Sequence, residues 1–128
     1  MSRIEPVLFR VNGTNTNVGS SEETTLQLPS DKTEVWLLVS FHYVRSGGTA
    51  SNYAPLLGQS AAWSAGGIDE RLTYASTAVG TAINDVFATP VPLKCDANGR
   101  VYFRPGFVGV STDNDGDYEF WFQKARGG

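Results

Sequence analysis

The sequence predicts an all-β fold: an antiparallel β-sandwich, jelly-roll-like, with about eight strands. Three observations point there. Short runs of alternating apolar and polar residues recur between turn signals, the spacing of a sandwich or jelly roll, with a small barrel as the alternative. Seven Phe, five Tyr and three Trp accompany a charged fraction of only 18%, a mix that suits pleated, half-buried surfaces. No segment reads as a long helix.

The elements follow in order. Pro6 to Val11 (PVLFRV) is a short strand, closed by the turn-rich run Asn12 to Ser21. Thr24 to Leu28 alternates and ends at the turn PSDK, Pro29 to Lys32. Glu34 to Val44 is the clearest strand. Val35, Leu37, Val39, Phe41 and Tyr43 fall on one face at period two, with Glu34, Trp36, Leu38, Ser40 and His42 on the other. One oily and one mixed face place it centrally in a sheet. Residues 46–68 carry no charge, and 14 of the 23 are Gly, Ala or Ser. They read as a long ordered loop or short, close-packed strands, and loops of that length in compact domains tend to be functional.

Arg71 to Ala75 is another short strand, and Ser76 to Asp85 reads weakly as a helical turn or two. Pro90 and Pro92 confine Val86 to Lys94 to an edge strand or an extended connection. Asp96 to Gly99 (DANG) is a hairpin signal. Arg100 to Arg104 and Asp117 to Lys124 are the last strands.

At 128 residues the chain has the length of one domain spanning 1–128, large enough to fold without staples. A net charge of −3 argues against a nucleic-acid partner, whose phosphates call for clustered Lys and Arg. Cys95 is the only cysteine, so an intrachain disulfide is impossible; the simplest expectation is a reducing cytoplasm, or a domain whose stability never depended on oxidation. The start MSRIEPVLFRVNG lacks a secretory apolar run. No stretch approaches the ~20 apolar residues of a membrane span, so no membrane partner is expected.

The run STDNDGDYEFWFQKA, Ser111 to Ala125, invites comparison with a calcium loop. With Gly116 as the sixth position of an EF-hand, Asp113 and Asp115 fall on ligand positions, but the twelfth is Phe122 where a bidentate glutamate belongs. The flank also alternates as a strand, with Tyr118, Phe120 and Phe122 on one face and Asp117, Glu119, Trp121 and Gln123 on the other. An acidic turn feeding a strand is the favoured reading; a loose calcium site is the alternative. No cofactor is expected.

Catalytic signatures are scarce. His42 is the only histidine, so any Ser-His-Asp or Cys-His arrangement would have to use it, and no G-x-S-x-G or phosphate-binding glycine motif occurs. One His and one Cys cannot build a zinc site. Paired carboxylates drawn from Asp69, Glu70, Asp117 and Glu119 would be the raw material of a hydrolase, a third and minor reading. Asn12-Gly13-Thr14 matches the glycosylation pattern, but reads as a turn where no export signal precedes it. The expectation is a protein that is not an enzyme.

A contact surface is better supported. Arg100, Tyr102 and Arg104 alternate on one face of their strand, Val101 and Phe103 on the other. If the last two strands share a sheet, Arg100, Tyr102, Arg104, Glu119 and Trp121 form one outer face. Tyr, Trp and Arg are enriched where proteins meet partners. The same aromatics would serve equally well beneath a loop or in the second layer of a sandwich. With Trp63 in the uncharged loop, these are the candidate interaction residues.

The passage PVPLKCDANGRVYFRPGF, Pro90 to Phe107, followed by TDNDGDYEFWFQKA, resembles the endings of small all-β virion proteins of tailed bacteriophages. These include capsid decoration (cement) proteins and tail or fibre-tip domains. The resemblance implies a homo-oligomer, a trimer by preference, located in the virion after synthesis in the host cytoplasm. It would bind across neighbouring subunits of the major capsid protein. Residues 1–11, as an anchoring arm, and the 46–68 loop would be the attachment points. The alternative is a tail-tip or fibre-associated module that recognises a host glycan or receptor, stacking sugars on Trp63, Tyr102 or Trp121.

Overall fold

A computed structural model describes residues 7–20, 22–61 and 70–125. Among them there is no helix, and ten strands follow one another: β1 (Leu8–Val18), β2 (Thr24–Gln27), β3 (Val35–Gly47), β4 (Asn52–Tyr53), β5 (Leu56–Gly58), β6 (Glu70–Thr73), β7 (Thr77–Ala78), β8 (Ile83–Lys94), β9 (Arg100–Arg104) and β10 (Asn114–Lys124). The front sheet has the order β1-β10-β3-β8 and the back sheet β2-β9-β5-β6, with β4 and β7 paired as a small ribbon. Every pairing is antiparallel. The all-β sandwich expected from the sequence is the fold observed.

The two sheets meet through aromatic residues. Phe41 of β3 and Phe120 of β10 stack with centroids 4.7 Å apart in the front sheet, and Phe103 of β9 meets them edge-on from the back sheet at 5.6 and 5.1 Å. Leu26, Leu38, Tyr53, Leu57, Leu93, Val101 and Phe122 complete a fully buried centre. Burying a side chain of this kind stabilises by roughly 1.5–3 kcal/mol, so this layer holds the sheets together.

Several elements differ from the sequence reading. β1 does not stop at Val11 but continues through the Asn- and Thr-rich run to Val18, in register with β10 from Leu8↔Gln123 to Asn15↔Gly116. Pairing with a neighbour overrides the weak strand preference of Asn and Gly. β3 is central, as expected, but its faces switch midway. Trp121 pairs with Ser40 and Phe122 with Leu38, leaving Val39 as a bulge. Trp36 and Leu38 therefore point inward before the bulge, and Phe41 and Tyr43 after it. One extra residue moves all later side chains to the opposite face.

The 76–85 stretch holds no helical turn: β7 pairs with β4, and β8 begins at Ile83. The DANG turn is tight, with Gly99 N–H donating to Asp96 O and Gly99 at φ +77°, but it is not a hairpin between paired strands. β8 lies in the front sheet and β9 in the back one, so the turn carries the chain across the sandwich. β8 is an edge strand, as its prolines require. The 46–68 run is partly the close-packed short strands expected, since it contains β4 and β5 and buries Tyr53 and Leu57.

Candidate functional site

β9 and β10 belong to different sheets. Val101 and Phe103 therefore face Phe120 and Phe122 across the core, and the two outer sets lie on opposite sides of the molecule. The candidate interaction residues do not form one surface. On the back sheet, Tyr102 is only 7% exposed, and its hydroxyl donates to Asp96 Oδ2 at 2.5 Å. Desolvation, then this bond to a carboxylate, pushes the phenol up to about 12. Arg100 Nε donates to Gln27 Oε1, and Arg104 pairs with Glu23 at 3.2 Å. Tyr102 is a pinned structural residue and not a platform for a sugar ring. Trp63 and the first six residues of the anchoring arm lie outside the described residues.

The other two candidates, Glu119 and Trp121, sit on the outer face of the front sheet. Here strand register builds rows of side chains. Arg10, Trp121, Ser40 and Val86 form one row, and Asn12, Glu119, His42 and Asn84 the next, followed by Thr14, Asp117 and Val44. Four strands far apart in sequence each contribute one residue to the central row.

The rows are knit together. Glu119 Oε2 accepts from Arg10 Nε and Nη2 at 2.8 and 2.6 Å, and Glu119 Oε1 accepts from Trp121 Nε1 at 3.0 Å. The Arg10 guanidinium lies 5.9 Å from the Trp121 ring centroid, so one indole face is already engaged by a cation. Hydrogen bonds from Trp121 and Arg10 hold the Glu119 carboxyl below the usual range. Thr14 Oγ1 donates to Asp117 Oδ1 at 2.7 Å. Asn84 Oδ1 lies 3.2 Å from His42 Nδ1; an amide oxygen only accepts, so Nδ1 is the donor in this bond.

Between these side chains runs a groove of about 350 Å³ lined by Arg10, Asn12, His42, Val44, Asn84 and Asp117, among others. Sequence reading singled out Glu119 and Trp121 but missed Arg10, Asn12, Thr14, Asn84 and Asp117 as one site. Period two placed Glu119 and Trp121 on one face, but it missed the switch of faces at Val39 and could not say that β1 and β8 flank the β3–β10 pair.

Beyond the groove the same face turns apolar. Leu8, Val35 and Val86 are 48%, 41% and 75% exposed. Pro92 is exposed beside a half-buried Leu37, its register partner. At one end of the sandwich, Val108 and Val110 project from the β9–β10 loop, Val110 fully exposed.

The aspartate run is a set of clamps. Asp113 Oδ1 accepts from the Thr49 hydroxyl at 2.8 Å and the Thr49 N–H at 3.2 Å, and these bonds hold its carboxyl below the usual range. Asp115 Oδ1 accepts from Asn17 N–H. Gly116 serves close approach instead of a positive φ, since a Cβ there would overlap the Tyr43 hydroxyl. Among the described residues no three His, Cys, Asp or Glu side chains are grouped to hold a metal ion. Glu70 lies on β6 of the back sheet, away from Asp117 and Glu119, so the paired-carboxylate arrangement does not form between them. Cys95 is buried, with Sγ 3.3 Å from Lys32 O. Among the described residues no helix is long and apolar enough to cross a membrane. No protein-family model matches the chain, and no curated protein is significantly similar to it.

Proposed function

We propose that this chain is a non-enzymatic structural protein of a bacteriophage particle, a decoration protein that binds across neighbouring capsid subunits as a homo-oligomer. The observation that carries this reading is the outer face of the front sheet. Leu8, Val35, Leu37, Val86 and Pro92 make a partly apolar surface next to the polar rows of Arg10, Glu119 and Trp121. An apolar centre rimmed by polar groups, with Trp and Arg at the boundary, is the anatomy of a protein interface.

Strand order supports the jelly-roll part of the reading. Taking the eight strands of the two four-stranded sheets in sequence, the first pairs with the last (β1 with β10), the second with the seventh (β2 with β9), the third with the sixth (β3 with β8), and the fourth with the fifth (β5 with β6). That is one long hairpin rolled into a sandwich, an arrangement used by viral capsid and lectin domains. The site's chemistry agrees with a role other than catalysis. His42 is bonded to an amide, not to a carboxylate, and Glu119 is held ionised, the opposite of what a general acid needs.

The experiment is co-sedimentation with expanded, emptied shells of the phage that encodes the chain. Binding that raises the shell's melting temperature, and that Val86→Asp weakens without unfolding the protein, is the expected result. Failure of the folded protein to sediment with shells contradicts the proposal. A second reading, a module that recognises a host glycan, is favoured by the polar groove.

A further inference from the structure

We propose that the groove on the front sheet binds an uncharged pyranose sugar, seated by Asn12, His42, Asn84 and Asp117. This rests on the second reading above and names its site and ligand class. Three features of the groove select that class.

Among the described residues, its one cation is spent: Arg10 is held by Glu119, while Asp117 accepts from the neutral Thr14 hydroxyl and keeps its charge. An anion would meet two carboxylates and a single guanidinium already in an ion pair. A small cation would find no converging set of carboxylates, since among the described residues none is grouped for one.

The polar groups are of mixed sense. Asn12 offers amide donors and an acceptor, Asn84 offers amide donors beside the Oδ1 that meets His42, the His42 ring adds its second nitrogen, and Asp117 retains a second carboxylate oxygen. A sugar hydroxyl both donates and accepts, so vicinal hydroxyls match these amide, imidazole and carboxylate groups on adjacent rows in a way that a one-sense ligand does not. Val44 and Ala82 also line the groove, and offer an apolar wall to the C–H face of the ring.

Size agrees. At about 350 Å³ the groove is at the small end of ligand sites, which run from about 300 to 1,000 Å³. One ring fits better than an extended chain. Of the aromatic residues expected to stack sugars, Tyr102 is on the other sheet, Trp121 carries Arg10 on its ring, and Trp63 lies outside the described residues.

The test is saturation-transfer NMR with the methyl glycosides of glucose, galactose, mannose and N-acetylglucosamine, with glucuronic acid and glucosamine as charged controls. Amide chemical-shift mapping locates the contact on the unmodified protein, so the result does not depend on a variant folding. The expected result is transfer to at least one uncharged glycoside, with shifts centred on residues 12, 42, 84 and 117. Asn12→Ala and Asn84→Ala should each weaken binding about tenfold, as loss of a hydrogen bond to the ligand implies, while Arg100→Ala on the back sheet leaves it unchanged. Binding only by a charged sugar, or shifts centred outside the groove, overturns this proposal but leaves glycan recognition standing. No binding by any sugar overturns both.

Discussion

Asn114 shows how much one polar side chain can organise. It is fully buried; its Oδ1 accepts from Ala50 N–H at 3.0 Å, and its Nδ2 donates to Val18 O at 3.0 Å. One amide thus ties the end of β1, the β3–β4 connection and the start of β10. Asn114→Ala should cost about 2–4 kcal/mol, because it leaves a buried N–H and a buried carbonyl without partners; a urea titration measures it. Asp96 makes a prediction about pH. Desolvation raises its carboxyl, but hydrogen bonds from the Tyr102 hydroxyl and from the Arg100 and Asn98 N–H groups outweigh it and hold the group below its ordinary value. A lowered carboxyl contributes stability that is complete above the ordinary value of 3.8 and is lost as pH falls through the lowered one. Unfolding midpoints should therefore drop more steeply below pH 3.8 in the unaltered protein than in Asp96→Asn. The sequence marks Asp96 as a turn residue. Its grip on Tyr102, six positions on, depends on how the turn and β9 are oriented, which composition and spacing do not encode.

The edges of the front sheet differ as elements. β8 carries Pro90 and Pro92, and between Leu38↔Val91 and Ser40↔Val86 its register slips against β3, looping out four residues where β3 has one. Proline and bulges keep an edge from recruiting another strand. Replacing both prolines, Pro90→Thr with Pro92→Val, should leave the monomer folded and increase self-association, read as concentration-dependent light scattering or thioflavin binding. Unchanged association would show that the prolines do not protect this edge. The edge role was legible, because proline cannot donate to a ladder. The bulge at Val39 was not. The alternation of Glu34 to Val44 is equally regular with or without it, since both faces of that strand hold large apolar residues. Likewise the NGTNTN run of β1 reads as a turn by residue preference, and only β10 alongside it makes it a strand.

For the molecule as a whole, alternation, turns, aromatic content and the lack of helical period were enough to predict a sandwich. Each is a local property that survives folding. The sharing of residues between the two sheets was out of reach, because β1 and β10 pair across more than a hundred positions and the chain crosses the sandwich at turns that look like hairpins. That is why the sequence grouped Arg100, Tyr102 and Arg104 with Glu119 and Trp121, whereas the fold separates them and joins Glu119 instead to Asn12, His42 and Asn84. Contact surfaces are a property of that global pairing.

The proposed decoration role requires the chain to associate with copies of itself and with shell subunits. The most direct measurement is its solution mass by light scattering over a range of concentrations. A stable homo-oligomer is expected, with three times the 13.8 kDa chain mass. A monomer at every concentration would contradict it.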